Sequence, residues 1–296
     1  MVEPRFTREK LDAALVGFCA ELGLDHSGAR LLRFTNNAVY ALTGAPVIVR
    51  ITGSRTLRHR AYKVVTVARH FARYGVPAVR LYSGVAQPLE VGEHLATVWR
   101  MVQETGGKST PRELAALLRR VHRLPVPTDL PAWSPLADVR ARLADAEELD
   151  AGDRRFLLRR CDWVSEQLNQ LEFPLRPALL HGDAHLGNVL VGPKGPVLCD
   201  FDSSCVGPPE WDLTPVALGV LRFGEPERLH KELADAYGFD VMAWDGFDVL
   251  RAARELKLVT SVLPSLRSNP EVRKEFYRRL GDLRSGRSAQ PWDRYR

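Results

Sequence analysis

Residues 178–204 read ALLHGDAHLGNVLVGPKGPVLCDFDSS, and this stretch decides the fold. Two short apolar runs, Ala178 to Leu180 and Val197 to Cys199, bracket a polar loop. The loop delivers Asp183, then Asn188 five residues on, and Asp200 twelve residues after that. Phosphoryl transfer from a nucleotide needs such a set. One carboxylate orients the acceptor hydroxyl and takes its proton, while an amide oxygen and a second carboxylate hold magnesium on the phosphates.

At HGDAHLGN (181–188) and DFD (200–202) the chain resembles the aminoglycoside phosphotransferase and choline kinase family, relatives of the protein kinases. HGDAHLGN is similar to that family's catalytic loop, and DFD to its metal-binding turn. The resemblance implies Asp183 as catalytic base, with Asn188 and Asp200 as Mg2+ ligands. Gly207-Pro208-Pro209-Glu210-Trp211-Asp212-Leu213 is similar to the family segment after the metal turn, where Asp212 braces the catalytic loop. Asp202 is expected to hydrogen-bond the catalytic region, with a second metal as the other option, and His181 and His185 to support the loop. The implied fold is α+β: a two-lobed, protein-kinase-like arrangement of a small antiparallel β-sheet lobe (1–102) and a larger, mainly helical lobe (103–296). The likeness covers about residues 30 to 260, and 178 to 213 is its highly specific part.

The residues also admit other readings. His181, Asp183 and His185 alternate, so on a strand they would share one face and offer a zinc site. Zinc has no need of Asn188 or of DFD downstream. His185 reads better as a hydrogen-bonding brace of its loop, because a neutral imidazole donates once and accepts once. An arginine-rich first lobe raises nucleic-acid binding, but no basic motif interleaved with aromatics supports it.

The composition is ordinary for a globular protein: 45% hydrophobic and 26% charged over 296 residues. No run approaches the roughly 18 apolar residues of a membrane span. The first ten residues, MVEPRFTREK, have no apolar centre of the kind a signal peptide carries. Cys19, Cys161, Cys199 and Cys205 lack metal spacing, and Cys161 and Cys199 sit in apolar contexts that read as buried thiols. A reducing cytoplasm is the expectation, without membrane or nucleic acid as partner. The net charge is +6, unevenly placed. From His26 to Leu89 there is no Asp or Glu against nine Arg and one Lys, whereas from Asp200 to Glu255 twelve acids face five Lys or Arg. Read along the chain, this suits an anionic nucleotide meeting a cationic or neutral acceptor.

Apolar spacing at Leu11, Leu15, Phe18 and Leu22 predicts a helix over 7–22. Strands are expected at Ala29 to Phe34, Ala38 to Leu42, Val47 to Ile51, Val79 to Tyr82 and Leu95 to Val102, with a helix over 57–74. After the linker Gln103 to Lys108, helices are expected at 111–122, 135–148, 153–171, 212–222, 226–237, 245–260 and 270–284, around a β-hairpin carrying the catalytic loop and DFD. Gly106-Gly107-Lys108-Ser109 is no P-loop, because Val102 stands where that motif needs glycine. Thr110-Pro111-Arg112-Glu113 reads instead as a capping box.

Val47-Ile48-Val49-Arg50-Ile51 is a buried strand with one charge, which needs a partner. Related kinases usually place Lys here, paired with an acid on the next helix. In this chain it is Arg50, and no acid is available locally. Two readings follow. In one, Arg50 binds the phosphates of ATP or GTP, braced by neutral groups or by an acid of the larger lobe such as Asp200. In the other, the protein is a degenerate kinase that binds without turnover. A third, plainer option is that Arg50 snorkels from an edge strand to water. Asn36 and Asn37, which tolerate left-handed backbone, stand in place of a glycine-rich phosphate loop. The resemblance makes Trp99 to Val102 the hinge, with the backbone of Arg100, Met101 and Val102 reaching the nucleobase. His122 is read as a packing or helix-end residue. Trp133, Trp211 and Trp244 are candidates to line an acceptor pocket, and core positions otherwise.

Overall fold

The computed structural model describes residues 8–34, 37–52, 58–146, 148–267, 269–286 and 291–295. The charged N-terminal stretch 1–7, Asn36 of the expected phosphate turn and the first residue of the 57–74 helix lie outside the described residues. Helix α1 (Arg8–Leu22) buries Leu11, Ala14, Leu15, Phe18 and Cys19 along one stripe. That stripe covers one face of a five-stranded sheet: β1 (Arg30–Phe34), β2 (Asn37–Ala41), β3 (Val47–Thr52), β4 (Leu89–Val91) and β5 (His94–Arg100). The strand order is β1-β2-β3-β5-β4, and every pair is antiparallel.

The two-residue period of β3 places its charge. Val47, Val49 and Ile51 are buried toward α1, so Ile48 and Arg50 face the opposite side, where a cleft opens. A slip of one residue would exchange the two sets. Two strand expectations differ from what forms. Val79 to Tyr82 is not a strand; this segment makes isolated bridges, Ala78 to Leu198 and Leu81 to Trp99, and so straps the sheet to the rest of the chain. Strand β4 was not foreseen. It pairs with β5 across the short turn at Gly92, whose φ of +57° suits glycine.

Helix α2 (Arg58–Arg73) leaves the sheet and turns its apolar face, including Val64, Val67, Ala68 and Phe71, toward the second half of the molecule. That half is helical: α3 (Pro111–Val121), α4 (Ala137–Asp145), α5 (Ala151–Gln170), α6 (Glu210–Phe223), α7 (Glu227–Tyr237), α8 (Phe247–Thr260) and α9 (Pro270–Ser285). Thr110 and Glu113 close the capping box of α3 reciprocally, with Pro111 at its first turn. Four short strands lie among the helices. The expected catalytic loop, 181–188, does not sit in a single hairpin. β6 (Ala178–Leu180) pairs with β9 (Cys205–Gly207), and inside that frame β7 (Val189–Gly192) pairs with β8 (Gly195–Leu198). The frame holds the two polar segments, 181–188 and 199–204, side by side. No described helix is long and apolar enough to cross a membrane.

Candidate active site

Phe201 pins the two halves together. It is fully buried, 5.1 Å from the ring of Phe71 on α2 and 6.1 Å from Trp99 on β5. Its flanking residues, Asp200 and Asp202, therefore emerge at the floor of the cleft. Asp200 has φ +63°, the sole described non-glycine residue in the left-handed region. Asp tolerates that region better than most residues, and strain of this kind clusters at functional turns.

The cleft encloses about 570 Å3, within the range of small-molecule sites. Val39, Ala41, Ile48, Val79, Met101 and Leu190 form its apolar walls, and it ends on Asn37, Arg50, Asp200 and Asp202. Of the three residues expected at the hinge, two have committed amides. Arg100 donates to Arg80 O and Met101 to Pro46 O, each at 2.8 Å. Val102 N–H has no partner among the described residues.

Arg50 finds its counter-charge across the cleft. Its Nη2 pairs closely with Asp202 Oδ2 and lies 3.4 Å from Asp200 Oδ1. Burial pulls the guanidinium toward neutrality, but the two carboxylates outweigh it and raise its pKa. Asn37 donates to Asp202 at 3.3 Å, and Arg33 reaches Asp200 at 3.5 Å. Asp202 thus faces the sheet, and the catalytic loop is held by other groups.

The principal one is Asp212, at the start of α6 and fully buried. Its two oxygens accept the backbone N–H groups of His181 and Gly182, each at 2.7 Å. His122 Nε2 also lies 3.1 Å from Oδ2, so this helix-end residue reaches the site through Asp212. Burial alone would raise the Asp212 pKa; the hydrogen bond and charge of His122, with His181 and Arg254, bring it below the ordinary value. Trp211 Nε1 holds Gly182 O at 3.1 Å. Gly182 has φ +85°, and a Cβ there would lie 1.9 Å from Ser203 O. Only glycine fits that place.

His181 spans the two polar segments. Nε2 lies 2.9 Å from Cys199 O, an acceptor, so it carries the proton, while Nδ1 accepts Asp183 N–H at 3.3 Å. Both ring nitrogens are committed, and no group of three His, Cys, Asp or Glu side chains among the described residues converges on a metal position. The alternation His181, Asp183, His185 lies in a loop rather than on a strand, so the zinc constellation does not form. Asn188 is buried, and its Nδ2 donates to Asp183 O at 2.9 Å, which leaves its oxygen as the available donor. That oxygen and the Asp200 carboxylate are hard ligands of the kind Mg2+ takes, alongside phosphate oxygens.

Asp183 is half-buried. Arg254, on α8, lies 3.1 Å from its Oδ1, and His185 Nε2 is 3.9 Å from Oδ2. Burial would raise the carboxyl pKa, but Arg254, His185 and Lys257 outweigh it and hold it below the ordinary value. Burial lowers the His185 pKa, against the pull of Asp183. Sequence reading missed Arg254. It is 4% exposed, donates to Trp211 O at 2.9 Å and to Thr214 Oγ1 at 3.0 Å, and stacks 3.7 Å above the Trp211 ring. The available signal was weak: Arg254 is one of three charges in the helix run AARELKLV, spaced among its apolar residues. Trp211 is thus a buried platform for the loop and for Arg254. Cys161 is buried, but Cys199 is only half-buried and lines the cleft.

The profile of the phosphotransferase enzyme family matches residues 30–253 of the chain. A hydroxyurea phosphotransferase of Kitasatospora aureofaciens is 32% identical over 145 residues, 46% of this chain and 39% of that protein. The matching stretch thus spans well under half of that curated relative. An amicoumacin kinase solved with AMP-PNP, Ca2+ and its ligand superposes with a TM-score of 0.68 at 16% identity, covering 97% of this chain and 98% of the other. A choline kinase from Streptococcus pneumoniae gives a TM-score of 0.68 at 14% identity, covering 93% and 99%. At such identities the likeness is one of fold, and that fold is the two-lobed, kinase-like one.

Proposed function

This chain belongs to the phosphotransferase enzyme family, and on that premise we propose that it transfers the terminal phosphoryl group of ATP or GTP, with Mg2+, to a hydroxyl of a small molecule. The observation that carries the reading is that two polar segments are bonded side by side, one of them lining the cleft: Cys199 N–H donates to Asn188 O at 3.0 Å, and His181 Nε2 lies 2.9 Å from Cys199 O. The Asp212-held loop presents Asp183 and Asn188, and the Phe201-pinned turn presents Asp200. The relatives named for hydroxyurea and choline take acceptors that each carry a hydroxyl.

In this reading the apolar walls of the cleft take the nucleobase, and Arg50 and Asn37 meet the phosphates. Asn188 and Asp200 would hold Mg2+, which when bound would neutralise phosphate charge. Arg254 fixes Asp183 Oδ1, so Oδ2 is the oxygen that orients the acceptor hydroxyl and receives its proton. The depressed pKa keeps Asp183 ionised at neutral pH. A carboxylate of that kind is a weak base, which suits late proton transfer in a loose transition state.

Asp183→Asn tests the assignment. The amide preserves shape and cannot take the proton, so kcat is expected to fall about 100- to 10,000-fold with nucleotide affinity retained. Turnover within a few-fold of the parent would contradict the role. A second reading, a binding protein without turnover, draws on the locking of Arg50 onto both DFD carboxylates. Slow ATP hydrolysis without acceptor argues against it; nucleotide binding with no hydrolysis and no transfer supports it.

A further inference from the structure

We propose that the acceptor is an anion: a hydroxylated compound whose carboxylate or phosphate docks on Lys257 and Lys63 while its hydroxyl meets Asp183. This inference rests on the phosphotransferase reading and deepens it. The nucleotide cleft ends at Asp200 and Asp202. Asp183 also faces Arg254 on α8, which packs on α4; α4 in turn is tied to α2 by an ion pair.

The charges gathered there are mostly positive. Helix α2 supplies Arg60 and Lys63, α4 supplies Asp138 and Arg142, and α8 supplies Arg254 and Lys257. Arg60 Nη2 bonds Asp138 Oδ1 at 2.7 Å and joins α2 to α4. Arg254 is taken by Asp183, and Arg142 donates to Lys257 O at 3.4 Å. Lys63 and Lys257 have no ion-pair partner among the described residues. Each lies within electrostatic reach of the Cys205 thiol and of Asp138. Lys257 Nζ also lies 5.6 Å from the centre of the Trp211 ring, under Arg254. Asp202 is spent on Arg50, and Asp212 on the loop amides.

A shielded ammonium without a partner is costly to keep, and an anionic ligand removes the cost. An amine entering the same space meets the unpaired Lys63 and Lys257 and is repelled. The proton affinities agree with this picture. Burial, then Arg254, push Lys257 down to about 8, and burial, then Arg60, lower Lys63.

The test uses the full chain with AMP-PNP and Mg2+ and four probes on one three-carbon skeleton: glycerate, glycerol 3-phosphate, glycerol and 3-amino-1,2-propanediol. Binding is read by tryptophan fluorescence, since Trp211 lies beneath Arg254 and Lys257, and AMP-PNP affinity is measured first by calorimetry. At least one anion is expected to bind about 10- to 100-fold more tightly than the neutral and cationic probes, the scale of one charge-assisted contact. Which anion wins distinguishes carboxylate from phosphate. Lys257→Met is expected to abolish most of that preference and Lys257→Arg to restore part of it, with Lys63→Met as an independent second variant. Equal or tighter binding of glycerol or the amine, or failure of both anions to bind, overturns the proposal while the phosphotransferase reading stands. Absence of AMP-PNP binding would sink the phosphotransferase reading instead.

Discussion

Lys257→Met should make the protein more stable at neutral pH. A lysine amine ordinarily titrates near 10.5, and burial together with Arg254 pushes that of Lys257 down to about 8. Each pH unit of that gap corresponds to about 1.4 kcal/mol, so the charged side chain opposes folding by about 3 kcal/mol. Below pH 8 the whole penalty is present. Between pH 8 and 10.5 the unfolded chain binds the extra proton, so stability rises with pH and the penalty is relieved. Methionine fills similar volume without charge, and the expected gain is about 2–3 kcal/mol at pH 7. Urea unfolding of parent and variant at pH 7 and above pH 10 measures it. The gain should shrink at the higher pH, where both side chains are neutral. A variant no more stable than the parent at pH 7, or a gain independent of pH, would refute the reasoning. A stabilising substitution that removes acceptor binding is the trade expected of a residue retained for function.

Other substitutions probe the rest of the site. Arg50→Met should weaken ATP binding by about 1.5–3 kcal/mol and leave adenosine unaffected, by calorimetry; equal losses for both ligands would make Arg50 structural. Asp200→Ala and Asn188→Ala should each reduce nucleotide affinity more with Mg2+ than without it, and titrations showing equal loss would remove both from the metal. Gly182→Ala forces a methyl group to 1.9 Å from Ser203 O at a positive φ, so a stability loss of about 1–3 kcal/mol or more and loss of turnover are expected; a denaturation midpoint like the parent's would mean the loop adapts freely.

What the sequence by itself determined is what local spacing controls. Helices α1 to α9 follow from apolar periodicity, caps and prolines, and the order Asp183, Asn188, Asp200 was legible because one loop and one turn carry all three. The alternation of β3 even placed Arg50 opposite the buried valines. The strap at Val79 to Tyr82 read as a strand because its composition is that of one; its partners, Leu198 and Trp99, lie on two different elements. Tertiary structure alone decided which charges meet. Arg50 pairs with residues 150 and 152 positions away, and Arg254 reaches Asp183 across 71. Counted along the chain, 200–255 is acidic and suggested a cationic or neutral acceptor. In space four of those acids are engaged elsewhere: Glu255 with Arg222 and Arg251, Asp240 with His230, Asp235 with Lys231 and Glu225 with Arg294. The α8 cations Arg254 and Lys257 are the ones that act on Asp183. Periodicity survives in one dimension because neighbours along the chain create it, whereas a charge acts over a few ångströms in any direction, and only the folded chain sets those distances.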